Sequence, residues 1–60
     1  MNKLIVKNPH ILNGDPTIKG TRIPVSIIKS LHRGQEPISV IAHIYNITEE
    51  QVKAAINYEN

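Results

Sequence analysis

Sixty residues give room for one domain, and a chain this short buries so little of its surface that it is marginal alone. Without cysteine no disulfide or thiolate-bound metal can staple it, which leaves self-association, a homodimer in the simplest case, as the expected support. The net charge of +2 is unevenly spread: Lys3, Lys7, Lys19, Arg22, Lys29 and Arg33 outweigh Asp15 by +5, while from Gly34 onward Lys53 against Glu36, Glu49, Glu50 and Glu59 leaves −3, so any contact with phosphate is biased toward the N-terminal half.

The first expected element is a strand over Lys3 to Lys7. Leu4-Ile5-Val6 is β-prone, and Asn8-Pro9 stops it. Three consecutive apolar residues leave no polar face, so either both faces are covered or one waits for a second chain. Asn13-Gly14-Asp15-Pro16 is turn chemistry, because Gly adopts positive φ freely and Pro16 holds Asp15 extended. A tight hairpin is expected next. With Gly20-Thr21 as the two loop residues in a type II′ turn, Lys19 pairs with Arg22 and Ile18 with Ile23; the alternative loop, Lys19-Gly20, sets Ile18 opposite Thr21. The first register joins apolar to apolar and is preferred.

Pro24 suits the first turn of a helix in which Ile23, Ile27, Ile28 and Leu31 recur at helical spacing, with Lys29, Ser30 and Arg33 outward. Gly34 is the expected residue just past its end, and His32 and Arg33 suit the negative end of the helix dipole. Pro37 then starts a second helix with Ile38, Ile41, Ala42 and Tyr45 on one stripe, stopped by a left-handed Asn46. Thr48 caps a third, with Gln51 completing a capping box, Glu49 and Glu50 at the positive end of the dipole, and Ile47 placed to staple onto Val52. That helix runs through Ala55 and Ile56 toward Tyr58. The resulting class is mainly α: a short strand and β-hairpin over residues 1–24, then a three-helix, homeodomain-like helix-turn-helix unit over 25–60.

Function follows from what these elements carry. No apolar run exceeds three residues and no signal-peptide core is visible, so a soluble, cytoplasmic protein without membrane contact is expected. Two Tyr with no Phe or Trp make a base-stacking platform improbable. His10, His32 and His43 lack a second ligand at metal-binding spacing, and there is no Ser-His-Asp set, phosphate loop or nucleotide fingerprint. Neither catalysis, a cofactor, a metal nor a small-molecule substrate is expected. The expected DNA-contacting residues are Lys19, Arg22, Lys29 and Arg33 on phosphate, with Gln51, Lys53 and Asn57 on the third helix, where helix-turn-helix proteins read the major groove. Arg22 can reach phosphate bidentately, or it can pair with Asp15 or cap a helix carbonyl. The many carboxylates of the third helix argue the other way, for a protein-binding module, with Leu4, Ile5 and Val6 adding a strand to a partner.

The stretch Asn13-Gly14-Asp15-Pro16-Thr17-Ile18-Lys19-Gly20-Thr21-Arg22-Ile23-Pro24-Val25 resembles the signature of a widespread prokaryotic family, domain of unknown function four-three-three, treated as VapB-like antitoxins. Gly34, Pro37, the Tyr45 to Thr48 segment and Ala54-Ala55 match its later elements, so the resemblance runs over nearly the whole chain. It implies a homeodomain-like helix-turn-helix behind a β-hairpin, a PIN-like ribonuclease toxin as the partner to be neutralised, and operator binding by analogy. A stand-alone helix-turn-helix regulator is the alternative. Asp15 and Glu36 depart from the usual pattern, and because relatives often carry a longer C-terminal tail, a toxin-binding segment there is expected to be missing or minimal.

Overall fold

In the computed structural model, residues 4–10 and 14–58 are described. Two short strands precede three helices: β1 (Ile5–Lys7), β2 (Pro16–Ile18), α1 (Val25–Arg33), α2 (Ile38–Tyr45) and α3 (Glu49–Asn57). The strands pair antiparallel, with Ile5 opposite Ile18, Val6 opposite Thr17 and Lys7 opposite Pro16. Pro16, which has no N–H to give a ladder, sits at the first residue of its strand, where that lack is tolerated. Within the Leu4 to Val6 segment Ile5 is buried in the core, while Leu4 and Val6 are half-buried. Lys3 and Asn13, assigned above to the strand and the turn, lie outside the described residues, while Gly14 takes the expected positive φ of 85°.

The turn after β2 differs from the preferred register. Thr21 N–H donates to the Ile18 carbonyl at 3.0 Å and Gly20 has φ 80°, so Lys19 and Gly20 are the central residues, with positive φ at the second as in a type II turn. The type II′ loop on Gly20-Thr21 is thereby corrected. The Thr21 hydroxyl supplies the reason, since it donates to that same Ile18 carbonyl at 2.7 Å and accepts the Ile23 N–H at 3.1 Å. Two further residues follow before the chain returns to β2. There Ile18 N–H donates to Ile23 O at 3.0 Å, and Thr17 bridges to Pro24, so the apolar pair is met through the backbone with a longer loop.

Pro24 and Pro37 each stand one position outside their helices, with extended φ/ψ, and their carbonyls accept the N–H of Ile27 and of Val40 and Ile41. Pro24 is held extended because it is still bridged to β2. The shift makes Val25 the first residue of α1, and Val25 with Ile28 takes the buried stripe. Ile27, expected inside, is 41% exposed. One residue along a helix turns the side chain by about 100°, enough to carry Ile27 off a stripe centred on Val25 and Ile28.

The end of α1 also departs from expectation. Gly34 has an ordinary φ of −77°, and Gln35 takes the left-handed conformation at φ 70°. Gln35 N–H reaches His32 O at 2.9 Å and Glu36 N–H reaches Leu31 O at 3.1 Å, the paired bonds of a Schellman ending with glutamine in the usual glycine position. Asn46 ends α2 in the left-handed region as expected, and Ile47 N–H bonds back to Ala42 O. At the start of α3 both capping-box bonds form: Gln51 N–H donates to Thr48 Oγ1 and Thr48 N–H donates to Gln51 Oε1. Ile5, Ile18, Val25, Ile28, Ile41, Ala42, Val52 and Ala55 form one buried cluster, with α3 packed on α1, α2 and β2. Ile47 and Leu31 pack against that cluster from its edge.

Candidate nucleic-acid interface

Lys19 and Arg22 flank Gly20-Thr21 on the turn after β2, and both side chains are exposed. Neither meets a carboxylate among the described residues, so Arg22 does not form the alternative pair with Asp15. The turn that carries them is held on the inside by the Thr21 hydroxyl, which bonds one strand's carbonyl and the next segment's N–H. Two cations are thus fixed at their backbones while their long side chains stay in water. That suits an electrostatic contact, in which position is set in advance and charge is left unneutralised for a polyanion.

The remaining expected contacts are dispersed. Arg33 is exposed in the last turn of α1. Lys29 is half-buried, and its Nζ donates to the Tyr58 carbonyl just past α3, so it is not turned outward as its spacing suggested. Its charge instead ties α1 to the end of α3. Gln51 is committed to the capping box through both its backbone N–H and its Oε1, and is only half-exposed. Lys53 and Asn57 are exposed and, four residues apart, share a stripe of α3 with Glu49. Gln51 lies two residues from Lys53, so the two side chains diverge by about 160° around the helix. The structure therefore groups Lys53 with Asn57 and sets Gln51 apart from them. Of Leu4, Ile5 and Val6, the structure buries Ile5 in the core and leaves Leu4 and Val6 half-buried.

A cleft of about 200 Å³ is lined by Asp15, Pro16, Val25, Ser26, Lys29 and Tyr58. It is smaller than the roughly 300 Å³ at which small-molecule pockets begin. Its one cation is also already bonded to Tyr58 O. His10, His32 and His43 are exposed, and no group of three or more His, Cys, Asp or Glu able to hold a metal occurs among the described residues. No helix among them is long and apolar enough to cross a membrane.

Two features went unread in the sequence. The Thr21 hydroxyl sits at the centre of the turn, yet Thr after Gly looks like ordinary loop composition, and only the hydrogen bonds show its part. Val40 and Ile44 are 40% and 56% exposed on the outer side of α2. They could have been found, since both fall off the stripe of Ile38, Ile41, Ala42 and Tyr45 by helical period.

A two-stranded antiparallel ribbon leading into three packed helices, with a basic turn between the two parts, defines a small mainly helical domain. Residues 5–58 match the family described as "Protein of unknown function (DUF433)", and the chain belongs to that family. Neither the curated proteins nor the solved structures contain a match to it.

Proposed function

We propose that this protein is the antitoxin of a type II toxin–antitoxin pair, which neutralises a PIN-like ribonuclease by direct binding and also binds operator DNA. The observation that carries the DNA part is the exposed pair Lys19 and Arg22 on a turn pinned by Thr21, without a carboxylate partner among the described residues. The order of the helices supports it as well: α2 and α3 are joined through Asn46, Ile47 and Thr48, a connection short enough for a helix-turn-helix with α1 behind it. The toxin part rests on the residues that resemble VapB-like antitoxins, Gly14 to Val25 above all. In this reading the chain has no chemistry of its own, and it acts by occupying surfaces.

The exposed Glu49 and Glu50 in the first turn of α3 favour a second reading, a protein-interaction module that leaves DNA alone. One measurement separates them. Binding to a duplex taken from the DNA preceding the gene is followed by fluorescence anisotropy from about 50 to 200 mM salt, where each phosphate neutralised contributes about −0.9 to the log–log slope. Lys19→Ala and Arg22→Ala should each reduce the magnitude of that slope by about 1. Absence of binding at the lowest salt, or a slope indifferent to both changes, rejects the DNA reading and leaves the interaction module. The toxin reading has its own test, co-purification with the product of an adjacent PIN-like reading frame.

A further inference from the structure

The three helices end differently. Gln35 after α1 and Asn46 after α2 take left-handed backbone, and the N–H groups that follow bond back to their own helices. Tyr58 instead leaves α3 in extended backbone at φ −69° and ψ 132°, and the last turn of α3 contains no basic residue. Helix ends are where backbone order is lost first, and this one is held from elsewhere. Lys29 of α1 donates its Nζ to the Tyr58 carbonyl, which places a cation at the negative end of the α3 dipole.

What that bond holds in place matters under the DNA reading proposed above, on which the inference rests. The first turn of α3 is closed to base readout, because Glu49 and Glu50 repel phosphate and Gln51 Oε1 is taken by the Thr48 N–H. Beyond it the exposed polar side chains are Lys53 and Asn57, on one stripe. Asn57 is the last residue of the helix, next to Tyr58, and its amide has no hydrogen-bond partner among the described residues. An Asn amide pairs bidentately with N6 and N7 of adenine in the major groove, a contact that has to be held to about 0.5 Å. We infer that Lys29 is a positioning residue for base readout: it touches no DNA, and by holding the Tyr58 carbonyl it fixes the last turn of α3 and with it the angle at which Asn57 meets a base.

Two variants separate this role from a direct one. Lys29→Met keeps an unbranched side chain of similar length and removes the donor. Lys29→Arg keeps both donor and charge, and the adjoining cleft of about 200 Å³, lined by Lys29 and Tyr58 among others, leaves room for the larger guanidinium. A Lys29 that met phosphate would show itself as a loss of about 1 from the magnitude of the salt slope, whereas a positioning Lys29 shows itself in discrimination between sequences.

The duplex that the wild-type protein enriches from a random pool is compared with a scrambled duplex of the same composition by fluorescence anisotropy, with circular dichroism checking that each variant is folded at the assay temperature. Asn57→Ala should reduce discrimination about tenfold. Lys29→Met should reduce it about three- to tenfold with the salt slope unchanged, and Lys29→Arg should restore it. Because Lys29 acts through Asn57, adding Lys29→Met to Asn57→Ala should cost no further discrimination. A slope reduced by about 1 in Lys29→Met shows a phosphate contact and overturns the inference. Full discrimination in a folded Lys29→Met protein, or a second loss on top of Asn57→Ala, overturns it too. Asn57 is exposed, so Asn57→Ala stays folded whatever Lys29→Met does, and unchanged discrimination in that variant is enough to reject the idea. A wild-type protein that binds duplex with a normal salt slope yet enriches no sequence rejects the inference and leaves the DNA reading standing; absence of any duplex binding removes both.

Discussion

The end of α1 places two residues in the wrong order for their backbones, and exchanging their roles should stabilise the protein. Gly34 has φ −77° and ψ 10°, which any L-residue adopts, while Gln35 has φ 70°. A Cβ built on Gly34 would lie 3.5 Å from Leu31 O and 3.6 Å from Ser30 O, ordinary contacts. Gly34→Ala therefore removes unfolded-state freedom without strain and is worth about 0.4–1 kcal/mol. Gln35→Gly relieves the left-handed conformation, about 1–2 kcal/mol for a residue with a Cβ, but gives back about 0.5–1 through the freedom of glycine in the unfolded chain. The double variant should gain about 1–2 kcal/mol. With about 2.1 cal/mol/K of unfolding entropy per residue, that corresponds to a rise in Tm of about 8–16 °C. Thermal melts followed by circular dichroism at a fixed concentration of about 10 μM measure it, and Gln35→Ala controls for loss of the glutamine side chain. If Gln35→Gly is no more stable than Gln35→Ala, or Gly34→Ala destabilises, the assignment of the left-handed residue is wrong.

Two further outcomes concern β2 and its turn. Thr17 is completely buried and its Oγ1 has no hydrogen-bond partner among the described residues, so Thr17→Val, nearly the same shape, should raise stability by about 1 kcal/mol in a urea titration; a loss would mean that the hydroxyl is satisfied. Thr21→Val removes a donor and an acceptor from the turn and should cost about 1–3 kcal/mol. Because Lys19 and Arg22 ride on that turn, the same change should weaken duplex binding while leaving the salt slope's charge count intact. Unaltered affinity in a folded Thr21→Val protein would show that the turn's geometry does not matter to the contact.

Much of the fold was legible because local chemistry and tertiary demand agree there. Thr48 and Gln51 satisfy the first N–H groups of α3 within four residues, and Asn46 tolerates left-handed geometry by its own chemistry, so neither needed knowledge of the rest. The stripe of Ile38, Ile41, Ala42 and Tyr45 was set by period alone. The candidate contacts were less legible. Lys29 has the composition and spacing of an outward cation, yet meets the carbonyl of Tyr58, twenty-nine residues away. Nothing near position 29 announces that bond.

By itself the sequence determined where each helix starts and stops to within a residue, which stripe of α2 and α3 is apolar, and that positive charge is concentrated before Gly34. These are local properties, decided by dihedral preference, capping and period. Tertiary structure decided the rest: that β1 pairs with β2 and buries Ile5, that the turn centres on Lys19 and Gly20, that Val25 displaces Ile27 from the core, and that Lys29 is tied to the end of α3. Each of these depends on which distant backbone comes near. A bridge from Thr17 to Pro24 sets where α1 begins, and with it which side chains face water.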